Sequence, residues 1–230
     1  RSSNGGKTWS VCPPPPGLSV IERLECTISL SGTDENTIWL AFRSGFSDHK
    51  VYKSTDGGQT WTNWSTNALL GFVVGDMVHQ LGTDGGVYLY CDDGYVFWRD
   101  NTSTDWTDIS AGLPWQLNAS QCRLGIQYKA GKLRMATPIG YWERDLVGPS
   151  ATLVQPMVSK RSSCLGDTLQ FDSYSVTNGP GTYAWSFDPA PQWVSDPLAR
   201  NPRVVLGAKP GPFHATLTVT DANGTATRTL

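Results

Sequence analysis

The residues of this chain most able to do chemistry are scattered acids. Asp48, Asp76, Asp84, Asp92, Asp93 and Glu143 lie in its first two-thirds, outside the clearest repeated motif. Cleaving a glycosidic bond takes two carboxylates facing each other across a cleft. Asp76 stands alone in GFVVGDMVH. An acid between apolar flanks is open to a raised pKa, and the same residue also reads as an Asp at a strand end. Asp93 is the second candidate, although Asp92-Asp93-Gly94 also reads as a turn. Glu143 and Asp145 alternate with Trp142 and Arg144, which places them on an outer strand face. Asp76 and Asp93 are thus the candidate catalytic acids, and the spacing brings no pair into a cleft.

Other chemistries find less support. There is no G-x-S-x-G, P-loop, dinucleotide fingerprint or HExxH. His49, His79 and His214 are isolated, and none lies at ligand spacing from a cysteine, so neither a metal nor a cofactor is expected. The five cysteines, at 12, 26, 91, 122 and 164, allow two disulfides with one thiol over. Cys12 with Cys26 closes the shortest loop, and the other reading is five small buried hydrophobes. A net charge of -2 points to neither nucleic acid nor an anionic membrane as partner. No run of eighteen apolar residues predicts a spanning helix.

The elements that would position these residues are strands and turns. Gly and Pro total 24 and 15, which favours many turns. Ser54 to Trp61 reads STDGGQTW, and Ser2 to Trp9 repeats the frame as SSNGGKTW. A degenerate copy ends at Trp106, with Arg99, Asn101 and Ser103 in the Ser, Asp and Gly places. Asp56 can accept hydrogen bonds from its own turn, and Gly57 and Gly58 permit positive φ. Ser2, Asn4, Gly6 and Trp9, like Ser54, Asp56, Gly58 and Trp61, are therefore read as structural, with Trp106 closing the third copy. Strands are expected at 37–42, 49–54, 86–91, 95–100, 132–137 and 141–146. The one helix-like stretch, 66–81, is interrupted by glycines and valines.

Trp9, Trp61 and Trp106 are 52 and 45 positions apart, and four short strands with their turns need about 40–50 residues, the signature of propeller blades. The text VYKSTDGGQTWTNWS, LGTDGGVYLYCDDGYVFWRD and GKLRMATPIGYWERDL resembles the Asp-box (BNR) β-propellers, which include sialidases, sortilin-type receptors and xyloglucan-degrading hydrolases. The resemblance covers about 1–147. It implies an all-β fold with a partial propeller of about three blades, the C-terminal part of a larger one. The missing blades are expected upstream, in cis or as a separate cleaved chain, because about three blades cannot close a propeller and would leave uncovered the faces that neighbours should bury. A small self-contained β-domain is the other reading. The arginines a sialidase would need, Arg43, Arg123 and Arg134, sit in no recognisable motif, and a Tyr–Glu couple would be needed beside them. Trp64 and Trp115, in loop-like text beside Asn and Gln, are candidates for stacking on a sugar ring.

Composition shifts at a linker, 148–151. Beyond it, Phe213, Ala215, Leu217 and Val219 alternate with His214, Thr216, Thr218 and Thr220, a half-buried strand. Strands are also expected at 152–158, 167–173, 181–187, 202–207 and 225–230. The pieces Cys164-x-Gly166-Asp167, Tyr183-x-Trp185-x-Phe187, Asn201-Pro202 and Asn223-Gly224 resemble the PKD domain. That implies an immunoglobulin-like β-sandwich over 152–230 with Trp185 as core aromatic. Asp188-Pro189-Ala190 departs from the family's usual GDG. Together the two resemblances imply a non-catalytic recognition or spacer region of a secreted or cell-surface protein, binding polysaccharide or a surface protein. The alternative is a fragment of a secreted glycoside hydrolase or peptidase whose main catalytic residues lie upstream.

Overall fold

The computed structural model describes residues 1–2, 4–18, 25–43, 50–113, 122–128, 131–148, 151–207 and 211–230, with Asp93 described by its backbone alone. They form two compact units, Arg1–Ile126 with Leu133–Arg144, and Gln127–Lys132 with Asp145–Leu230.

The fold is all-β: a partial β-propeller followed by an immunoglobulin-like sandwich. The first sheet runs β1 (Cys26–Leu30), β2 (Ile38–Phe42), β3 (Val51–Ser54) and β4 (Thr62–Asn63), each antiparallel to the next. The second repeats this with β5 (Val74–His79), β6 (Val87–Cys91), β7 (Tyr95–Arg99) and β8 (Thr107–Asp108). The third holds β9 (Arg123–Gln127), β10 (Lys132–Thr137) and β11 (Gly140–Asp145) in the order β11-β10-β9. Short glycine turns permit only neighbour-to-neighbour pairing, and a four-stranded meander is the topology of a blade. The opening strands β1 and β5 pack against each other, and among the described residues no sheet closes on itself. The main core gathers Trp39, Val51, Trp64, Leu69, Met77, Leu89, Phe97 and Trp106 between the first two sheets. Strand β6 is buried along its whole length.

The stretch 66–81 is not a helix. It forms one 3-10 turn at Asn67–Leu69 and then β5. Gly71 takes a φ of +82°, and the Val73-Val74 pair favours an extended chain, so the helical period cannot propagate.

In the second unit, β12 (Pro156–Val158), β13 (Thr168–Ser173), β16 (Arg203–Val205) and β15 (Trp193–Val194) pair in the order β12-β13-β16-β15. The other sheet is β14 (Thr182–Asp188), β17 (His214–Asp221) and β18 (Gly224–Thr229). Along β17, Ala215, Leu217 and Val219 are buried and His214 is exposed, the expected alternation. The expected strand at 152–158 is split. Leu153 makes a lone bridge to Val176, and the ladder starts only at Pro156, whose missing N–H suits the first position of a strand.

Candidate functional site

The two clear motif copies fold into the same self-bonded turn. In the second, Asp56 Oδ1 accepts from the N–H groups of Gln59 and Thr60, both at 2.9 Å, and Oδ2 accepts from the Thr60 hydroxyl at 2.6 Å. The Ser54 hydroxyl donates to Asp56 at 2.8 Å and accepts from Gly58 N–H at 2.8 Å. Gly57 and Gly58 have φ of +71° and +88°. In the first copy Asn4 Oδ1 accepts from Thr8 N–H at 3.0 Å, and Asn4 Nδ2 donates to the Thr8 hydroxyl at 2.8 Å. Ser2 again caps Gly6, at 2.8 Å. The third copy departs from the expected frame. Asp100, one place earlier, accepts from Thr102 and Ser103, whereas Asn101 donates to Asp84 at 2.8 Å and accepts from Lys53. Without glycines at 102 and 103 the turn tightens around the nearer carboxylate.

Asp76, the leading catalytic candidate, is an inter-sheet tie. A bulge between Val74 and Asp76 interrupts the β5–β6 register. At its centre is Gly75, where a side chain would collide with the Tyr90 ring. The bulge aims the carboxylate sideways. Its Oδ1 accepts from the Thr27 hydroxyl on β1 at 3.2 Å and from Met77 N–H at 2.9 Å. Its Oδ2 accepts from Leu124 N–H on β9 at 2.8 Å. One side chain thus joins the opening strands of all three sheets. Nearby, Arg43 bridges Asp92 at 2.7 Å and Glu25 at 3.3 Å, joining the first two sheets again. Asp93 follows Asp92 in a 3-10 turn, Asp92–Gly94, and its side chain lies outside the described residues.

Between these sheets runs a seam of rings and cations. Trp64, a sugar-stacking candidate, is only 8% exposed. It packs edge-on against Trp106 at 5.9 Å and tilted on Trp39 at 6.2 Å. Lys53 and Arg99 stand over its ring at 5.1 and 4.6 Å. No face is left for a sugar, because the apolar gap between successive blades needs this ring to fill it. Trp115, the other candidate, lies outside the described residues. His79 stacks on Trp39 at 4.8 Å, and burial, reinforced by Lys53, pulls its pKa down to about 4. The buried Lys50 ammonium donates to the carbonyls of Leu69 and Phe72, both at 2.5 Å.

The arginines do not converge. Arg43 is engaged as above, Arg123 donates to Cys122 O at 2.9 Å, and Arg134 pairs with Glu143 at 3.3 Å. A Tyr–Glu couple does exist, since Tyr141 donates to Glu143 at 2.8 Å, but it sits exposed on β11 beside Arg134. Among the described residues no three metal-ligating side chains gather. Among the described residues the five cysteines form no disulfide. The Cys12–Cys26 bridge does not form: Cys12 Sγ turns to Gly57 O at 3.8 Å, and Cys26 is exposed at the start of β1. Only Cys91 and Cys122 behave as buried small residues. Burial pushes the Cys122 thiol up, and burial with the Cys122 hydrogen bond does the same to the Tyr90 phenol.

In the second unit Trp185 is the buried core aromatic, 5.4 Å from Phe171 and stacked at 6.3 Å with Phe187. One end of this sandwich opens into a cleft of about 600 Å³. Phe171, Phe213 and Leu206 are among its apolar walls, and Lys160 and Arg161 are among its polar ones.

No family model matches the chain, and no curated protein matches it significantly. Among solved structures it is similar to YCF48 from Cyanidioschyzon merolae, with a TM-score of 0.37 and 14% identity over 64% of this chain. The match spans 49% of that protein, about half its length.

Proposed function

We propose that this chain is the non-catalytic recognition and spacer region of a secreted or cell-surface multidomain protein that binds protein or glycan. In this reading residues 1–147 are Asp-box propeller blades, 148–151 a linker and 152–230 a PKD-type sandwich. Further blades, in cis or as a separate cleaved chain, complete the arc. The observation that carries the proposal is the engagement of Asp76. The acid best placed by sequence for catalysis spends both oxygens on β1 and β9. Asp56 and Asp100 are likewise used up inside their turns, so the motif acids serve architecture.

The test is to assay the chain side by side for retention on polysaccharides and surface proteins and for hydrolysis of both. Binding without turnover is expected. Asp76→Ala should lower unfolding stability by about 2 kcal/mol, since it strands the Leu124 N–H and cuts the tie to Thr27. Hydrolysis that disappears in Asp76→Asn with unchanged stability would overturn the proposal.

A further inference from the structure

Two of the three turns share a contact that goes beyond their internal bonds. The Trp61 indole N–H donates to Pro13 O at 2.9 Å, and the Trp106 indole N–H donates to Trp64 O at 2.9 Å. Pro13 and Trp64 follow Trp9 and Trp61 by four and three residues, each in the connector segment between one motif turn and the opening strand of the next sheet. Each connector crosses the turn of the blade it is about to build and lays a carbonyl on that turn's tryptophan. Side chains complete the latch. Cys12 lies in van der Waals contact distance of a side chain placed at Gly58, Tyr52 donates to Pro16 O at 2.5 Å, and Trp64 packs on Trp106.

The Ser2–Trp9 turn has every other mark of a blade's outer hairpin. Arg1 and Ser10 exchange backbone bonds at 2.7 and 2.8 Å, matching the Lys53–Thr62 pair one repeat later. Arg1 also reaches over Gly57 of the next turn, much as Lys53 reaches Asn101. Only the latch differs. The Trp9 indole N–H turns back to Gly6 O at 3.1 Å, and the ring is 75% exposed.

We propose that the Trp9 turn is the docking site of an extended polypeptide connector belonging to a preceding blade. The segment sets a backbone carbonyl on the Trp9 indole and a small or apolar side chain against Gly6, as Cys12-Pro13 does on Gly58 and Trp61. This rests on the blade reading above and adds to it the residue and the chemistry of the joint.

The probe is a copy of residues 10–18, carrying Cys12→Ser, fused ahead of Arg1 through a Gly/Ser linker that holds it at millimolar effective concentration. The Trp9 indole N–H is followed by nitrogen-15 NMR and assigned with Trp9→Phe. Its resonance should move, and its exchange should slow at least about twofold against a scrambled fusion. Identical spectra for both fusions, with Gly6 N–H protected, would overturn the latch and leave the blade reading standing. An unprotected Gly6 N–H would mean the hairpin is not formed, and both would fall. A shift that grows with concentration in the unfused chain would assign the site to a second copy and overturn the connector.

Discussion

Asp56 and Asn4 do the same work with different charge. Both accept the N–H of the residue four places on, and both engage its hydroxyl. The Thr60 hydroxyl, with the Thr60 N–H and the Ser54 hydroxyl, holds the Asp56 carboxyl well below the usual range. Because the folded value is depressed, the stability it contributes is complete above about pH 4 and is lost as pH falls through the folded value. At neutral pH the order of urea midpoints is expected to be wild type, then Asp56→Asn, then Asp56→Ala. The Asn form keeps the geometry Asn4 already shows. As pH falls towards about 2, the gap between wild type and Asp56→Asn should narrow. A gap that stays constant would mean the charge contributes nothing.

At the scale of elements, the second strand of each propeller sheet was legible and the opening one was not. Regions 37–42, 86–91 and 132–137 matched β2, β6 and β10 because apolar residues recur there, as Ile38 to Phe42, Val87 to Tyr90, and Leu133 with Met135. Strands β5 and β9 carry Gly75, Asp76 and Gly125 instead, residues that sheet propensity counts against. They are strands because neighbouring sheets supply partners, as Thr27 and Leu124 do for Asp76. The alternation of Cys26-Thr27-Ile28-Ser29-Leu30 was the one signal that would have found β1. In the sandwich, alternation along β17 and the Trp185 core position were both legible. Trp185 is buried, yet its indole nitrogen has no hydrogen-bond partner among the described residues. Trp185→Ala should therefore cost about 3–5 kcal/mol. Trp185→Phe should cost less than about 1.5 kcal/mol, since most of the apolar volume stays and no hydrogen bond is lost. Equal losses in chemical denaturation would refute that account.

For the molecule as a whole, each unit has its own core, so each is expected to melt as its own cooperative transition. Trp185→Ala should move only one of two calorimetric peaks. The other should respond to mild acid through His79. Its folded pKa of about 4 lies below the unfolded value of 6.5, so the unfolded chain takes up the proton first. Stability of the first unit is then highest above about pH 6.5 and falls by about 2 kcal/mol on going to about pH 4.5. His79→Phe should remove most of that fall. Sequence alone determined the local features: glycine turns closed by their own Asp or Asn, the strands richest in β-branched and aromatic residues, and the alternation of β17. Those depend on contacts within a few residues, which composition and spacing record. The tertiary structure decided which acid was used up and which rings were hidden. Asp76 meets Thr27 and Leu124, some fifty residues away on either side, and Trp64 meets Trp106 across two sheets. No local pattern encodes such meetings, because they exist only once blades stack.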